Sequence, residues 1–195
     1  MTAQTIAQKR VVAIDEQEGL GVRDLILVAV LLAAGAVLKL TVSSFLTFAG
    51  MKPNFMIAMY CLAIILTRPK VYQAAVIGLI TGLISQIPML NATPLVNIAS
   101  ELVGAVVCGL LLVSLTKVAP KTTSMQNVVL PAAITFISTA FSGYTFALVV
   151  GSVMNGLPVP VVFATYAVMV LGTATMNAIL AAILTPILRK TLKIS

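Results

Sequence analysis

Long apolar runs, separated by short segments rich in Pro, Gly and polar residues, dominate this chain and predict membrane-spanning helices. Most of the runs are about 17 residues or longer, and they lack the alternation of apolar and polar residues that barrel strands show. The pattern predicts six helices, at about 25–45, 54–67, 71–88, 94–116, 127–153 and 158–188. At ~1.5 Å per residue most of them cover the ~30 Å hydrocarbon core, while the second and shortest needs a few flanking residues to do so.

Composition excludes a water-soluble protein and limits the number of domains. Of the 195 residues, 60% are hydrophobic and 9% are charged, whereas soluble domains carry about 25% charged residues. An ordinary cytosolic enzyme, a disordered chain and a secreted disulfide scaffold are therefore excluded. We expect an all-α integral membrane protein with one six-helix transmembrane domain over 24–190, a polar tail over 1–23 and a short end over 191–195. The apolar run after the tail is too long for a signal peptide.

The distribution of basic residues predicts the orientation in the membrane. Ten of the 12 Lys and Arg residues fall in the two ends of the chain and in the loops after the second and fourth helices, which share one side. Only Lys39 and Lys52 are near the other side. Because cytoplasmic segments carry an excess of Lys and Arg, we predict that both termini are cytoplasmic, in a multi-pass protein of the bacterial plasma membrane. The net charge of +7 then reflects topology, and no nucleic-acid partner is expected.

The sequence lacks the residues that most membrane enzymes use. It contains no histidine, which excludes Ser–His and Cys–His catalysis and imidazole metal sites. It has no P-loop motif, and one intramembrane carboxylate cannot form the pair that an aspartyl protease needs. Cys61 and Cys108 each lie inside an apolar run, so we expect them to be small core or lipid-facing residues. We therefore expect no catalytic residue, no cofactor and no metal, and a protein that binds passively or depends on partners for energy.

Polar side chains gather near the predicted outer face and indicate a binding pocket that opens to the outside. Glu101 is the only acidic residue after Asp24, and it lies about 10 Å below the outer end of the fourth helix. An ionisable residue at that depth is a functional candidate, with a structural pair to Lys39 as the alternative. The same level is predicted to hold further polar residues, with aromatic residues beside the first loop: Gln86, Asn91, Asn97, Ser138, Ser142, Tyr144, Phe45, Phe48 and Phe55.

Other polar and small residues have structural interpretations. Lys39 lies toward the outer end of the first helix and is expected to snorkel to the surface. Asn177, deeper in the sixth helix, is expected to form a hydrogen bond with a neighbouring helix, and Gly78 and Gly82 of the third helix are expected to pack closely within the bundle. The first helix also carries an Ala-xxx-Ala pair on one face, formed by the residues at positions 29 and 33.

These features resemble one family of membrane proteins. Six helices, cytoplasmic termini, a chain of this length and the Ala29–Ala33 pair are typical of the substrate-binding S components of energy-coupling factor (ECF) transporters. The segment Gly50-Met51-Lys52-Pro53-Asn54-Phe55 is more specifically similar to the tryptophan-transporter branch, which usually reads G-M-K-P-D there. The segment Pro94-Leu95-Val96-Asn97 is similar to the Pro-Asn segment of that branch. Asn54 replaces the usual acidic residue, and the Gly-rich segment expected before the fourth helix is absent.

The resemblance implies a mechanism and a set of site residues. An S component captures a small molecule, here tryptophan or a related aromatic amino acid or vitamin, from outside the cell. It docks, here through Ala29 and Ala33, on a transmembrane scaffold T component that is coupled to two cytoplasmic ATPases, and it topples in the lipid bilayer to release the substrate inside. For a zwitterion we expect Lys52 to bind the carboxylate and Glu101 the ammonium group. The remaining contacts would come from Asn54, Asn97, Gln86, Asn91, Tyr144 and an aromatic residue, Phe48 or Phe55.

Two alternatives come from other classes of protein. The first is a stand-alone secondary carrier for a small zwitterionic or aromatic solute, in which Glu101 carries a coupling proton. The chain shows no convincing repeat, so a simple inverted-repeat carrier has no support. The second is a membrane enzyme or assembly factor that acts on lipid, which the absence of histidine and the single acidic residue disfavour.

Overall fold

The computed structural model describes residues 19–46, 53–87, 90 and 93–193, and this part of the chain folds into six helices without a strand. The helices are α1 (Val22–Phe45), α2 (Met56–Thr67), α3 (Val71–Ile84), α4 (Pro94–Val118), α5 (Leu130–Leu148) and α6 (Val159–Leu192). Two π-helical segments, Met125–Val129 and Val149–Met154, continue α5 at its ends. The predicted all-α, six-helix fold is confirmed, and four of these helical stretches are long and apolar enough to cross a membrane.

Two predicted helix ends are wrong by a few residues. α2 begins at Met56 rather than at residue 54, and the backbone carbonyl of Asn54 just before it accepts a hydrogen bond from the Asn177 side chain. α3 ends at Ile84 rather than at residue 88, because the backbone N–H groups of Gln86 and Ile87 bond to carbonyls three residues back instead of four. Bonds of that kind tighten the last turn and end the helix.

Glycines let α3 and α4 pack against each other in opposite directions. A β-carbon at Gly78 would lie 2.6 Å from the β-carbon of Ala105 and 2.7 Å from the carbonyl oxygen of Glu101. A β-carbon at Gly82 would lie 2.7 Å from the Cα atom of Ile98. Gly82, the later glycine of α3, therefore faces the earlier part of α4, so the two helices are antiparallel. The interpretation of both glycines as close-packing residues is confirmed.

Replacing Gly78 with Ala is expected to lower the free energy of unfolding by about 1–3 kcal/mol, because the added methyl group overpacks this contact. Gly172→Ala in α6 is the matched control, since nothing lies within 4 Å of the position of its added β-carbon. Alanine is also the better helix former by about 1 kcal/mol. Thermal unfolding of the purified variants in detergent, followed by circular dichroism, measures the difference. A Gly78→Ala protein as stable as Gly172→Ala would contradict the packing.

The helix ends that carry most of the basic residues come together on one side of the bundle. The Arg23 side chain of α1 donates a hydrogen bond to the backbone carbonyl of Leu192, and Arg189 of α6 donates one to the side-chain oxygen of Asn127 (2.7 Å). We call this the basic side; α1 begins there, α4 and α6 end there, and α2 joins α3 there at Arg68. α1 begins and α6 ends three to four residues beyond the predicted limits.

α2 forms the centre of the bundle. All of its residues from Met56 to Leu66 are buried, and it packs against α1, α4, α5 and α6. With 12 and 14 residues, α2 and α3 extend only about 18 and 21 Å, which is less than the ~30 Å of the hydrocarbon core. Because α2 ends and α3 begins at their shared connection on the basic side, the start of α2 and the end of α3 both lie within the membrane, short of the opposite side.

The chain that leads into α2 therefore lies within the bundle. Pro53 and Phe55 are buried, and Asn54 is half-buried. Irregular backbone at membrane depth is tolerated only where protein surrounds it or where it lines a cavity. The short length of α2 thus creates the space in which the candidate site is found.

Candidate functional site

Lys39 and Glu101, the two buried charged residues in the described part of the chain, lie at the same level. Lys39 is 17 residues after the start of α1 at Val22, and Glu101 is 17 residues before the end of α4 at Val118. Both helix ends are on the basic side, so each side chain begins about 25 Å above that side. This level is above the first turn of α2, where the short helix leaves room.

Glu101 is fully buried, and only one of its carboxylate oxygens has a partner. Asn54 donates a hydrogen bond from its amide nitrogen to Oε1, while Oε2 has no hydrogen-bond partner in the described chain. Lys39 is 4% exposed and interacts electrostatically with Glu101. The prediction that Lys39 snorkels to the surface is therefore wrong, because its side chain is buried in the bundle.

Asn177 connects α6 to the chain before α2. Its amide nitrogen donates to the backbone carbonyl of Asn54 (3.0 Å) and to the hydroxyl of Thr139 in α5 (3.3 Å). This confirms the prediction of an interhelical hydrogen bond. Asn54 is held at its backbone by α6 and at its side chain by Glu101, so Asn54 and Asn177 together link the start of α2 with α4, α5 and α6. We call Lys39, Asn54, Glu101 and Asn177 the polar cluster.

Tyr60 forms the floor of the polar cluster, and sequence inspection missed it. It is fully buried one turn into α2, and its hydroxyl lies against Gly104, where a β-carbon would collide with it. Ser142 of α5 lies at the same glycine. A glycine three residues after Glu101 therefore lets a large polar side chain approach the cluster.

Several buried polar atoms around the cluster have no hydrogen-bond partner in the described chain. Native proteins normally pair such atoms with protein groups, water or a ligand, because an unpaired polar group in an apolar environment is costly. The atoms span the interior between α2, α4, α5 and α6, and they are Asn54 Oδ1, Tyr60 Oη, Asn97 Nδ2, Glu101 Oε2, Thr135 Oγ1, Ser138 Oγ and Asn177 Oδ1. The arrangement is suited to a polar ligand that offers both donors and acceptors.

An apolar cavity of about 350 Å³ lies between α1 and α6. We call it the apolar cavity, and its lining residues are Leu38, Val42, Phe55, Met176, Ile179 and Leu180. Met176 is 16 residues before the end of α6, which places it about 24 Å above the basic side, at the level of the polar cluster. The volume is within the range of about 300–1,000 Å³ that small-molecule sites usually have.

The apolar cavity and the polar cluster are built from adjacent residues of the same elements. In α1, Leu38 lines the cavity and the next residue is Lys39. Asn54 belongs to the cluster and the next residue, Phe55, lines the cavity; in α6, Met176 lines the cavity and Asn177 follows it. Three separate elements thus present an apolar and a polar residue side by side.

The other predicted site residues differ in their surroundings. Asn97 is buried one turn before Glu101 on α4. Gln86 is half-buried after α3, and its side chain donates to the backbone carbonyl of Gly82 (2.7 Å). Tyr144 is not brought to the cluster: it lies on a different face of α5 from Ser142, and its ring packs against that of Phe163, 4.7 Å between centroids.

Some predicted site residues lie outside the described residues. These are Lys52, Phe48 and Asn91, and their predicted roles stay predictions. Ala29 and Ala33 are both exposed on α1. Cys61 and Cys108 are fully buried, which confirms the expectation of core residues, and the described residues contain no group of three or more metal-ligating side chains.

Comparison with known proteins places these features in a family. The family model for the tryptophan transporter TrpP matches residues 21–193. A protein described as a "probable tryptophan transport protein" of Bacillus subtilis (strain 168) is 32% identical over 175 residues, which is 88% of this chain and 93% of the relative. No solved structure matches the chain.

Proposed function

Since this chain belongs to the family of the tryptophan transporter TrpP, we propose that it is the substrate-binding S component of an ECF-type importer in the bacterial plasma membrane. Its proposed substrate is tryptophan or a related aromatic amino acid or vitamin. The observation that carries this proposal is the buried carboxylate of Glu101, one of whose oxygens accepts no hydrogen bond from any residue that the structure describes. An ionised group in the membrane interior is costly and is retained for function, and a carboxylate suits the ammonium group of an amino acid.

In the proposed site the substrate enters from outside, on the side opposite the basic side. Glu101 binds the ammonium group. Asn54, which is bonded to Glu101, and Asn97, one turn before Glu101 on α4, supply hydrogen bonds. Lys52 would attract the carboxylate, and the remaining predicted contacts are Gln86, Asn91, Phe48 and Phe55, without Tyr144, whose ring packs on Phe163. The termini and the basic side then face the cytoplasm, as the excess of Lys and Arg there supports.

The chain itself performs no chemistry in this proposal. A transmembrane T component and two cytoplasmic ATPases supply the energy, and the loaded S component topples in the lipid bilayer to release its substrate. Ala29 and Ala33 support a docking surface on α1, because both are exposed and small residues allow helices of two proteins to approach closely.

Uptake of labelled tryptophan by cells that express this chain separates the importer from the stand-alone carrier. We expect uptake to fall to the background of cells without the chain when the genes for the partner ATPases are deleted. Uptake should persist when an uncoupler dissipates the proton gradient while cellular ATP is maintained. The reverse pattern, loss with the uncoupler and persistence without the ATPases, would favour a carrier in which Glu101 transports a proton.

A further inference from the structure

We propose that Lys39 is the carboxylate-binding residue of the substrate site and that the apolar cavity beside it holds the ring of the substrate. A zwitterion then binds by inserting its two charged groups between Lys39 and Glu101. This inference rests on the proposed function, and it assigns to Lys39 the role that the sequence motif suggests for Lys52.

The electrical balance of the site supports a zwitterionic ligand. Glu101 is the acidic residue that acts on Lys39 inside the bundle, since Asp24 lies 15 residues earlier on α1, about 22 Å toward the basic side. The two buried charges therefore neutralise each other. A zwitterion gives each of them an opposite charge and adds no net charge to the membrane interior, whereas a simple amine or acid leaves one charge unpaired there.

Geometry favours Lys39 as the partner of the carboxylate. The ammonium and carboxylate groups of an amino acid are attached to one carbon, so the residues that bind them must lie at one level. Lys39 and Glu101 start at the same height, on α1 and on α4. Oε2 of Glu101 and Oδ1 of Asn54, which have no hydrogen-bond partner among the described residues, are available to the ammonium group.

The apolar cavity is placed to receive the rest of the substrate. Its lining contains no polar residue, and its volume of about 350 Å³ suits one ring system rather than a large cofactor. Leu38 and Phe55 of its lining are the sequence neighbours of Lys39 and Asn54, so the cavity lies at the level of the charged residues. Phe55 is available to stack on a ring.

Three ligands test the role of Lys39: tryptophan, tryptamine, which lacks the carboxylate, and indole-3-propionate, which lacks the amino group. We expect the wild-type protein, titrated in detergent by calorimetry, to prefer tryptophan to both. Lys39→Met should weaken tryptophan binding about 100-fold and should bind tryptamine better than tryptophan, because Glu101 is then the only charge left. Equal tryptophan affinity in Lys39→Met and wild type would overturn the inference.

Two further variants separate a binding role from a structural one. The double variant Lys39→Met/Glu101→Gln leaves no unpaired charge, so we expect it to fold as stably as wild type and to lose the preference for tryptophan over tryptamine. Lys39→Arg, which keeps the positive charge, should keep that preference. If Lys52→Met loses the preference and Lys39→Met retains it, the carboxylate is bound by Lys52 and the inference is wrong. A wild-type protein that binds no tryptophan would instead contradict the proposed function.

The ring site has its own matched pair of variants on α6. Leu180→Trp fills the apolar cavity and should weaken tryptophan binding at least tenfold, because the added ring occupies the space of the substrate ring. Ile183→Trp, at an exposed position outside the lining, should bind tryptophan as wild type does. Unchanged binding in Leu180→Trp would show that the cavity holds something else, such as a lipid acyl chain.

Discussion

Replacing Glu101 with Gln is expected to weaken tryptophan binding between about 30-fold and about 5,000-fold, because removing one charge from a buried, hydrogen-bonded pair costs about 2–5 kcal/mol. Gln keeps the shape of the side chain and can still accept the hydrogen bond from Asn54. The lost affinity then reports the charge of the carboxylate and not a cavity. Isothermal titration of the purified variant measures it.

The matched control is Asp24→Asn, which removes the other described carboxylate. Asp24 accepts a hydrogen bond from the backbone N–H of Gly21 at the start of α1, on the basic side and far from the cluster. We expect its tryptophan affinity to equal that of wild type. Equal tryptophan affinity in Glu101→Gln and Asp24→Asn would contradict the proposal that the Glu101 carboxylate binds the ammonium group.

The helices could be predicted from the sequence, but their depths could not. Apolar runs of bilayer length have few structural outcomes, because backbone groups in lipid must be bonded internally, and helices achieve this. The apolar run of the second helix extends over 54–67, yet α2 begins only at Met56. Just before it, the Asn54 carbonyl accepts a hydrogen bond from Asn177, which is 123 residues away. No local pattern contains such a contact.

The candidate site could be predicted in part for the same reason. Glu101 is conspicuous in the sequence because it is the only acidic residue among the later apolar runs. Lys39 near a helix end looks like a snorkelling residue until the short α2 and the inward-facing carboxylate are known. Counting residues from the basic side would have revealed that the two charges share a level. Tyr60 gives no signal in an apolar run, because its burial depends on Gly104 of another helix.

Replacing Ala29 with Trp is expected to reduce tryptophan uptake more than tenfold while the isolated chain binds tryptophan as wild type does. Ala29 and Ala33 are exposed on α1, whereas Leu31, Leu32 and Gly35 form its buried face, so the large side chain has room in the free protein. The Trp side chain would separate α1 from a docked scaffold helix. A loss of about 1.4 kcal/mol in the free energy of association already weakens the complex tenfold. Co-purification of the partners with tagged variants, together with uptake assays, measures this effect.

Leu110→Trp on α4 is the matched control, because Leu110 is a half-exposed apolar residue on another face of the bundle. An equal loss of partners in both variants would mean that any bulky residue on the lipid-facing surface disturbs assembly. Full uptake with Ala29→Trp would show that α1 does not form the docking surface. The stand-alone carrier predicts this second result, because a protein that transports without a scaffold has no reason to keep a face of small residues free. The variant therefore tests the site of docking and the need for a partner in one measurement.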